Sequence, residues 1–213
     1  MDRVTEIARN TITKSDPSGP IGKSRYPKIL PMTVHGYEIR YKNTGGQIEL
    51  SVWDGKIGAA NLSITPSMFH GMKVYSVDYV GLNPKYQGQQ LGYELYKGLV
   101  VLMGINLTSI GSHSVGARKL WLRLSQDPKI SAYGFNLYTK EIFNVQPNKG
   151  ETELKSTKRG IKLYSDYESE MGLVLTRRGS KDDKKLDKML KEPAAKNKPD
   201  VFGVTKFRPL DHD

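Results

Sequence analysis

One stretch of the chain has residue types and spacing suited to holding a phosphate. It is Gln87-Gly88-Gln89-Gln90-Leu91-Gly92, which follows a strand-like segment and opens a segment with helical apolar spacing. A loop that wraps a helix N-terminus presents unpaired backbone N–H groups at the positive end of the helix dipole. That arrangement suits phosphate or pyrophosphate. Gly88 lets the backbone approach such a ligand closely, Gly92 lets the first helical turn pack tightly, and Lys85 adds charge at the rim. The Gly-Lys-Ser/Thr ending of a Walker A loop is missing, and so is the three-glycine spacing of a dinucleotide fingerprint.

Other chemistries find less support. The chain has no cysteine, which excludes a disulfide framework, a Cys-ligated metal and a thiol nucleophile. His35, His70, His113 and His212 have no ligand spacing, so no metal is expected. No serine sits in a nucleophile elbow. Ser114 is a candidate helix N-cap, with Ser112 and His113 beside it. Phe135, Tyr138 and Phe143 interleave with Lys140, a pattern that could stack single-stranded nucleic acid but also fits ordinary strand packing. With 33 basic and 22 acidic residues the net charge is +11, which favours contact with polyanions without choosing among them.

The elements that must position the loop follow from the apolar pattern. Residues 37–43, 47–54 and 56–65 alternate and are separated by Thr44-Gly45-Gly46 and Asp54-Gly55, which predicts an antiparallel meander. Residues 73–82 predict a fourth strand, with Val74, Ser76, Asp78 and Val80 on one face and Tyr75, Val77 and Tyr79 on the other. A bulge is expected at Gly81. A helix is expected over 88–103, carried by Leu91, Leu95, Leu99 and Leu102. A short strand over 107–110, a helix over 115–126 and strands over 130–136 and 139–146 complete the pattern.

Composition divides the chain into three parts. Residues 1–35 carry Pro17, Pro20, Pro27 and Pro31 and predict an extended polar arm. Residues 36–165 hold nearly all the periodic apolar pattern and predict the folded domain. Residues 166–213 predict a charged basic tail, with a short helix over 181–191 as the alternative to a solvated segment. No apolar run is long enough for a membrane span, and the first 30 residues have no apolar signal core, so a cytoplasmic location is expected.

The combination Asn83-Pro84-Lys85-Tyr86-Gln87-Gly88-Gln89-Gln90-Leu91-Gly92, behind antiparallel strands and before helix, strand and helix, resembles the GNAT N-acyltransferase superfamily. The resemblance covers residues 37–144, about half the chain, and is strongest over 77–99. It implies an α/β fold: a mixed, mostly antiparallel central sheet flanked by helices. It implies acetyl-CoA or another acyl-CoA as co-substrate. The backbone of Val80, Gly81 and Leu82 would pair with the pantetheine arm, and the amides of Gln87, Gly88, Gln89, Gln90, Leu91, Gly92 and Tyr93 would hold the pyrophosphate. A backbone N–H at Leu82 would stabilise the oxyanion. Asp78, nine residues before Gln87 where the family often carries a glutamate, would be the base, acting through water. Partial burial would raise its pKa; the other reading of Asp78 is an ion pair with a nearby Arg or Lys.

Two departures stand out. Gln90 occupies the place of the family's central loop glycine, and Trp121 the place of its tyrosine acid. Tryptophan cannot donate a proton to the leaving thiolate; Ser112, Ser114, Tyr133 or solvent would have to. The segment 112–133 is similar to phage-encoded members, which opens a second class of function: a non-catalytic GNAT-fold structural or interaction protein, virion-associated or acting in host takeover. The acyltransferase reading leaves the amine acceptor unknown, and the basic tail suits a protein or nucleic-acid partner.

Overall fold

The structure is a computed structural model, and it describes residues 23, 25–110, 114–147, 154–156 and 171–191. Their strands are β1 (Lys28–Val34), β2 (Tyr37–Thr44), β3 (Gln47–Asp54), β4 (Ile57–Phe69), β5 (Met72–Leu82), β6 (Leu107–Ile110), β7 (Ile130–Asn136), β8 (Ile142–Pro147), β9 (Leu154–Ser156) and β10 (Met171–Arg177). Three helices accompany them: α1 (Leu91–Val101), α2 (Val115–Ser125) and α3 (Lys181–Lys191). The strands join one sheet in the order β1-β2-β3-β4-β5-β6-β10-β7-β8-β9. The expected α/β class, a mixed and mostly antiparallel sheet flanked by helices, is what the chain forms.

The meander forms because Gly45, Gly46 and Gly55 take the positive φ its tight turns require. Directly opposed residues share a sheet face. On one face lie Val52, Leu62, Ile64, Leu173 and Leu175, which pack against Leu91, Leu95 and Leu99 of α1 and Trp121 and Leu124 of α2. On the other face Val74, Val174, Tyr133 and Phe135 pack against Leu186 of α3.

The sheet extends past both expected boundaries. β1 lies within the expected proline arm, yet Met32 and Val34 are buried. It is the edge strand, where Pro31 costs no ladder bond, and its register shifts between Ile29 and Thr33. β10 and α3 lie within the expected charged tail. β10 is apolar along Met171-Gly172-Leu173-Val174-Leu175 and sits between β6 and β7. α3 is held by Leu186 and by Asp183, whose Oδ1 accepts from the Tyr133 hydroxyl at 2.6 Å.

Only β5 and β6 run parallel, and they pair only at Tyr75↔Leu107 and Ser76↔Thr108. β5 then continues six residues further, to Leu82, without a β6 partner. The sheet is split there.

Candidate functional site

The split opens beside a cleft of about 480 Å³ between the end of β5, the loop before α1, and α2. Its lining includes Val80, Gly81, Leu82, Gln87, Gly88, Gln90, Leu91, Gly92 and Tyr93. Those are all the expected cofactor-binding residues except Gln89, whose side-chain amide donates to the Lys85 carbonyl at 3.1 Å. Sequence reasoning missed the α2 side of the cleft, where Lys119, Leu120 and Arg123 stand. Their signal was the helical spacing of two cations beside an apolar stripe.

The loop is built from backbone geometry. Asn83 caps a single 3₁₀ turn over Pro84–Tyr86, accepting from the Lys85 N–H. Gly88 has φ +80° and Gln90 has φ 60°. The expected helix start at Gly88 is therefore corrected to Leu91, because the left-handed Gln90 cannot continue a helix. Glu94 N–H makes the first intrahelical bond, to the Gln90 carbonyl. The N–H groups of Leu91, Gly92 and Tyr93 precede that bond and have no carbonyl one turn back to reach.

Positive φ at Gln90 also explains the departure from the family pattern, since glycine adopts that backbone without cost. Gln90 carries it with help from Arg123, whose Nη2 donates to Gln90 Oε1 at 2.7 Å. The Arg123 guanidinium lies 4.1 Å from the Tyr93 ring centroid. Below them Asp127 is a buried hub. It accepts from Tyr93 at 2.5 Å and from the Lys129 N–H at 2.8 Å, and pairs with Lys97 at 2.9 Å. Burial pushes the Asp127 carboxyl up, but the bonds from Tyr93, Lys97 and Lys129 together hold it below its usual value. Burial, then Asp127, pushes the Tyr93 phenol up. Tyr86 is pushed up to about 12, chiefly by burial and then by its bond to Asp54.

β5 departs from its expected geometry in one place. Ser63 pairs with Tyr79 and Ile64 with Val77, so the bulge lies at Asp78, not at Gly81, which pairs with Asn61. The extra residue exchanges the two faces beyond it. Tyr79 joins the face of Val74 and Ser76, and Val80 joins the face of Leu62 and α1. Asp78 is exposed, against the expected partial burial. It accepts from Thr65 at 2.7 Å and Gln47 at 3.2 Å.

Asn83 donates to the Ala59 carbonyl, which makes Ala60–Leu82 and Leu62–Val80 the non-hydrogen-bonded pairs. Leu82 and Val80 therefore turn their N–H groups away from β4, toward the split. Trp121 is buried, edge-on to Tyr96 at 5.7 Å, as a core residue. Ser114 caps α2 by accepting from the Ala117 N–H, and also lines the cleft. Tyr133, one of the candidate acids, instead faces α3, and its hydroxyl is committed to Asp183. Ser112 and His113 lie outside the described residues. Among the described residues no cluster could hold a metal, and no helix is long and apolar enough to cross a membrane.

No family model matches the chain, and no curated protein matches it in sequence. Among solved structures, a Bacteroides thetaiotaomicron protein assigned to the GNAT acetyltransferase family is 13% identical with a TM-score of 0.36, over 70% of this chain and 72% of that one. The ribosomal-protein-S18-alanine N-acetyltransferase of Escherichia coli is 13% identical with a TM-score of 0.34, over 63% of this chain and 71% of that one.

Proposed function

We propose that the protein is an acyl-CoA-dependent N-acyltransferase that passes an acetyl group to a primary amine by direct attack in a ternary complex. The observation that supports this best is the coincidence of the cleft with the sheet split. Nearly every residue expected for the co-substrate lines one cavity, and that cavity opens on the unpaired edge of β5.

The residues present fit the co-substrate. The N–H groups of Leu91, Gly92 and Tyr93 face a pyrophosphate-sized anion, with Lys119 and Arg123 adding charge. Val80 and Leu82 offer backbone groups to an amide-bearing arm lying along the split. Acyl-CoA supplies the acyl group already activated as a thioester. The Leu82 N–H is placed for the oxyanion, a contact worth on the order of 3 kcal/mol in other enzymes. Asp78, exposed and on the opposite face, takes the amine proton through water. With Trp121 buried and Tyr133 turned toward α3, solvent protonates the departing thiolate.

Isothermal titration with acetyl-CoA tests this, using wild type, Gly88→Ala and Gly88→Glu. Both variants carry the same backbone strain at φ +80°, and a Cβ there meets nothing within 4 Å. Micromolar binding that survives alanine and is abolished by glutamate is the expected result. Absence of binding by wild type would overturn the enzyme reading and favour a non-catalytic interaction protein.

A further inference from the structure

Four buried side-chain polar atoms lack a hydrogen-bond partner among the described residues: Trp53 Nε1, Asn61 Oδ1, Ser63 Oγ and Thr108 Oγ1. The register places all four on one face of the sheet. Ser51 opposes Asn61, which opposes Gly81; Trp53 lies two residues from Ser51; Ser63 opposes Tyr79; and Thr108 pairs with Ser76 and Val174. This is the face opposite the cleft, and Asp78 and Tyr79 are on it at the edge of the split.

An unmade buried hydrogen bond costs about 1–3 kcal/mol. Native proteins keep few such groups, and each calls for an explanation. Here they are grouped beside the proposed reaction centre. The charges on this face narrow what could satisfy them. Glu38 is paired with Lys23 at 2.9 Å and Arg40 at 2.6 Å, and Lys42 with Glu49 at 2.9 Å. Asp78 receives bonds from two neutral side chains, and no cation pairs with it among the described residues. A phosphate-rich ligand would find the cations already neutralised. An amine would find one free carboxylate. The orphaned atoms comprise a donor (indole N–H), an acceptor (amide oxygen) and two hydroxyls, a mixture that ligand hydroxyl groups match because they donate and accept.

We infer that this face binds a small hydroxylated amine of amino-sugar type, its ammonium at Asp78 and its hydroxyls at Ser63, Asn61 and the Trp53 indole. Calling the bound amine the acyl acceptor rests on the acyltransferase reading; the binding itself does not. An amine at Asp78 reaches the split from the side away from the cleft. Its nitrogen forms the amide bond as the carbon–sulfur bond breaks. Its surplus proton passes through water to Asp78, and the thiolate leaves with the sulfur electron pair.

The test uses the full chain labelled with ¹⁵N. The chain has two tryptophans, so the indole region holds two resonances, assigned with Trp53→Phe. The probes are D-glucosamine, n-butylamine and D-glucose, near pH 6.5. Glucosamine should shift the Trp53 indole resonance and leave that of Trp121 in place. Asp78→Asn and Asn61→Leu should each weaken its affinity on the order of tenfold. n-Butylamine and glucose should bind more weakly than glucosamine. No shift, or equal responses to all three probes, would overturn the inference. An acetyl-CoA titration of the same samples reads the cleft separately. Glucosamine binding without acetyl-CoA binding supports this site and overturns the acyltransferase reading; the reverse overturns this site alone.

Discussion

Arg123 Nη2 donates to Gln90 Oε1 over 2.7 Å, tying α2 to the left-handed residue that starts α1. A left-handed backbone costs a non-glycine residue roughly 1 kcal/mol, and a hydrogen bond to a charged group offsets about as much. Gln90→Ala keeps the strain and loses the bond, and should destabilise the protein by about 1 kcal/mol. Gln90→Gly loses both and should stay within about 0.5 kcal/mol of wild type. Denaturant midpoints of the three proteins check this. A glycine variant as weak as the alanine one would show that backbone strain contributes nothing.

The same arginine carries a prediction for the co-substrate. Arg123 and Lys119 line the cleft, and Arg123 is braced 4.1 Å from the Tyr93 ring centroid. Arg123→Gln should lower acetyl-CoA affinity on the order of tenfold at low ionic strength. The difference should shrink in high salt as screening shortens the reach of the charge. Titrations at two salt concentrations read both effects, and an unchanged affinity would place the phosphates elsewhere.

Asp127 makes part of the stability depend on pH. Its folded pKa is depressed, so its contribution is fully present above the unfolded pKa, about 3.9 for an ordinary aspartate. The contribution is lost as pH falls through the folded value. Acid unfolding curves should steepen below about pH 4, and Asp127→Asn should flatten them. Asp127→Ala should cost about 3 kcal/mol at neutral pH, because Tyr93, Lys97 and the Lys129 N–H lose their common acceptor.

Since β10 lies inside the sheet, a chain ended at residue 170 should fail to fold, with no cooperative melt by circular dichroism. Removing β10 leaves β6 and β7 without their shared neighbour. A milder probe of the same strand is Gly172→Ala. Its methyl would run into the Phe135 ring, and overpacking of this kind costs about 1–3 kcal/mol. A Gly172→Ala protein as stable as wild type would contradict the packing of β10 on β7.

Much of the fold was legible because its signals are local. The meander turns, the α1 stripe and the Ser114 cap each depend on residues a few positions apart, and all appear where the pattern puts them. The cleft loop was legible for the same reason. β1 was not, because Pro31 argues against a strand unless the strand is known to be an edge. β10 was not, because five apolar residues between charged segments look like a minor feature until two partners flank them. The missed cleft cations, Lys119 and Arg123, acquire meaning only when α2 packs beside the loop.

Asp78 shows where the two kinds of information part. The residue itself, its distance along the chain from Gln87 and the alternation around it are all in the sequence. Its exposure is not. That follows from a register shift against β4, a partner more than ten residues away, and the shift reverses the faces of Tyr79 and Val80. The sequence by itself determined the loop, the helices and most of the strands, since propensity, turn chemistry and periodicity act between neighbours. The tertiary structure decided the strand order, the split between β5 and β6, and the face on which each candidate group stands. A strand's backbone bonds to whatever lies beside it, and nothing within the strand specifies that neighbour.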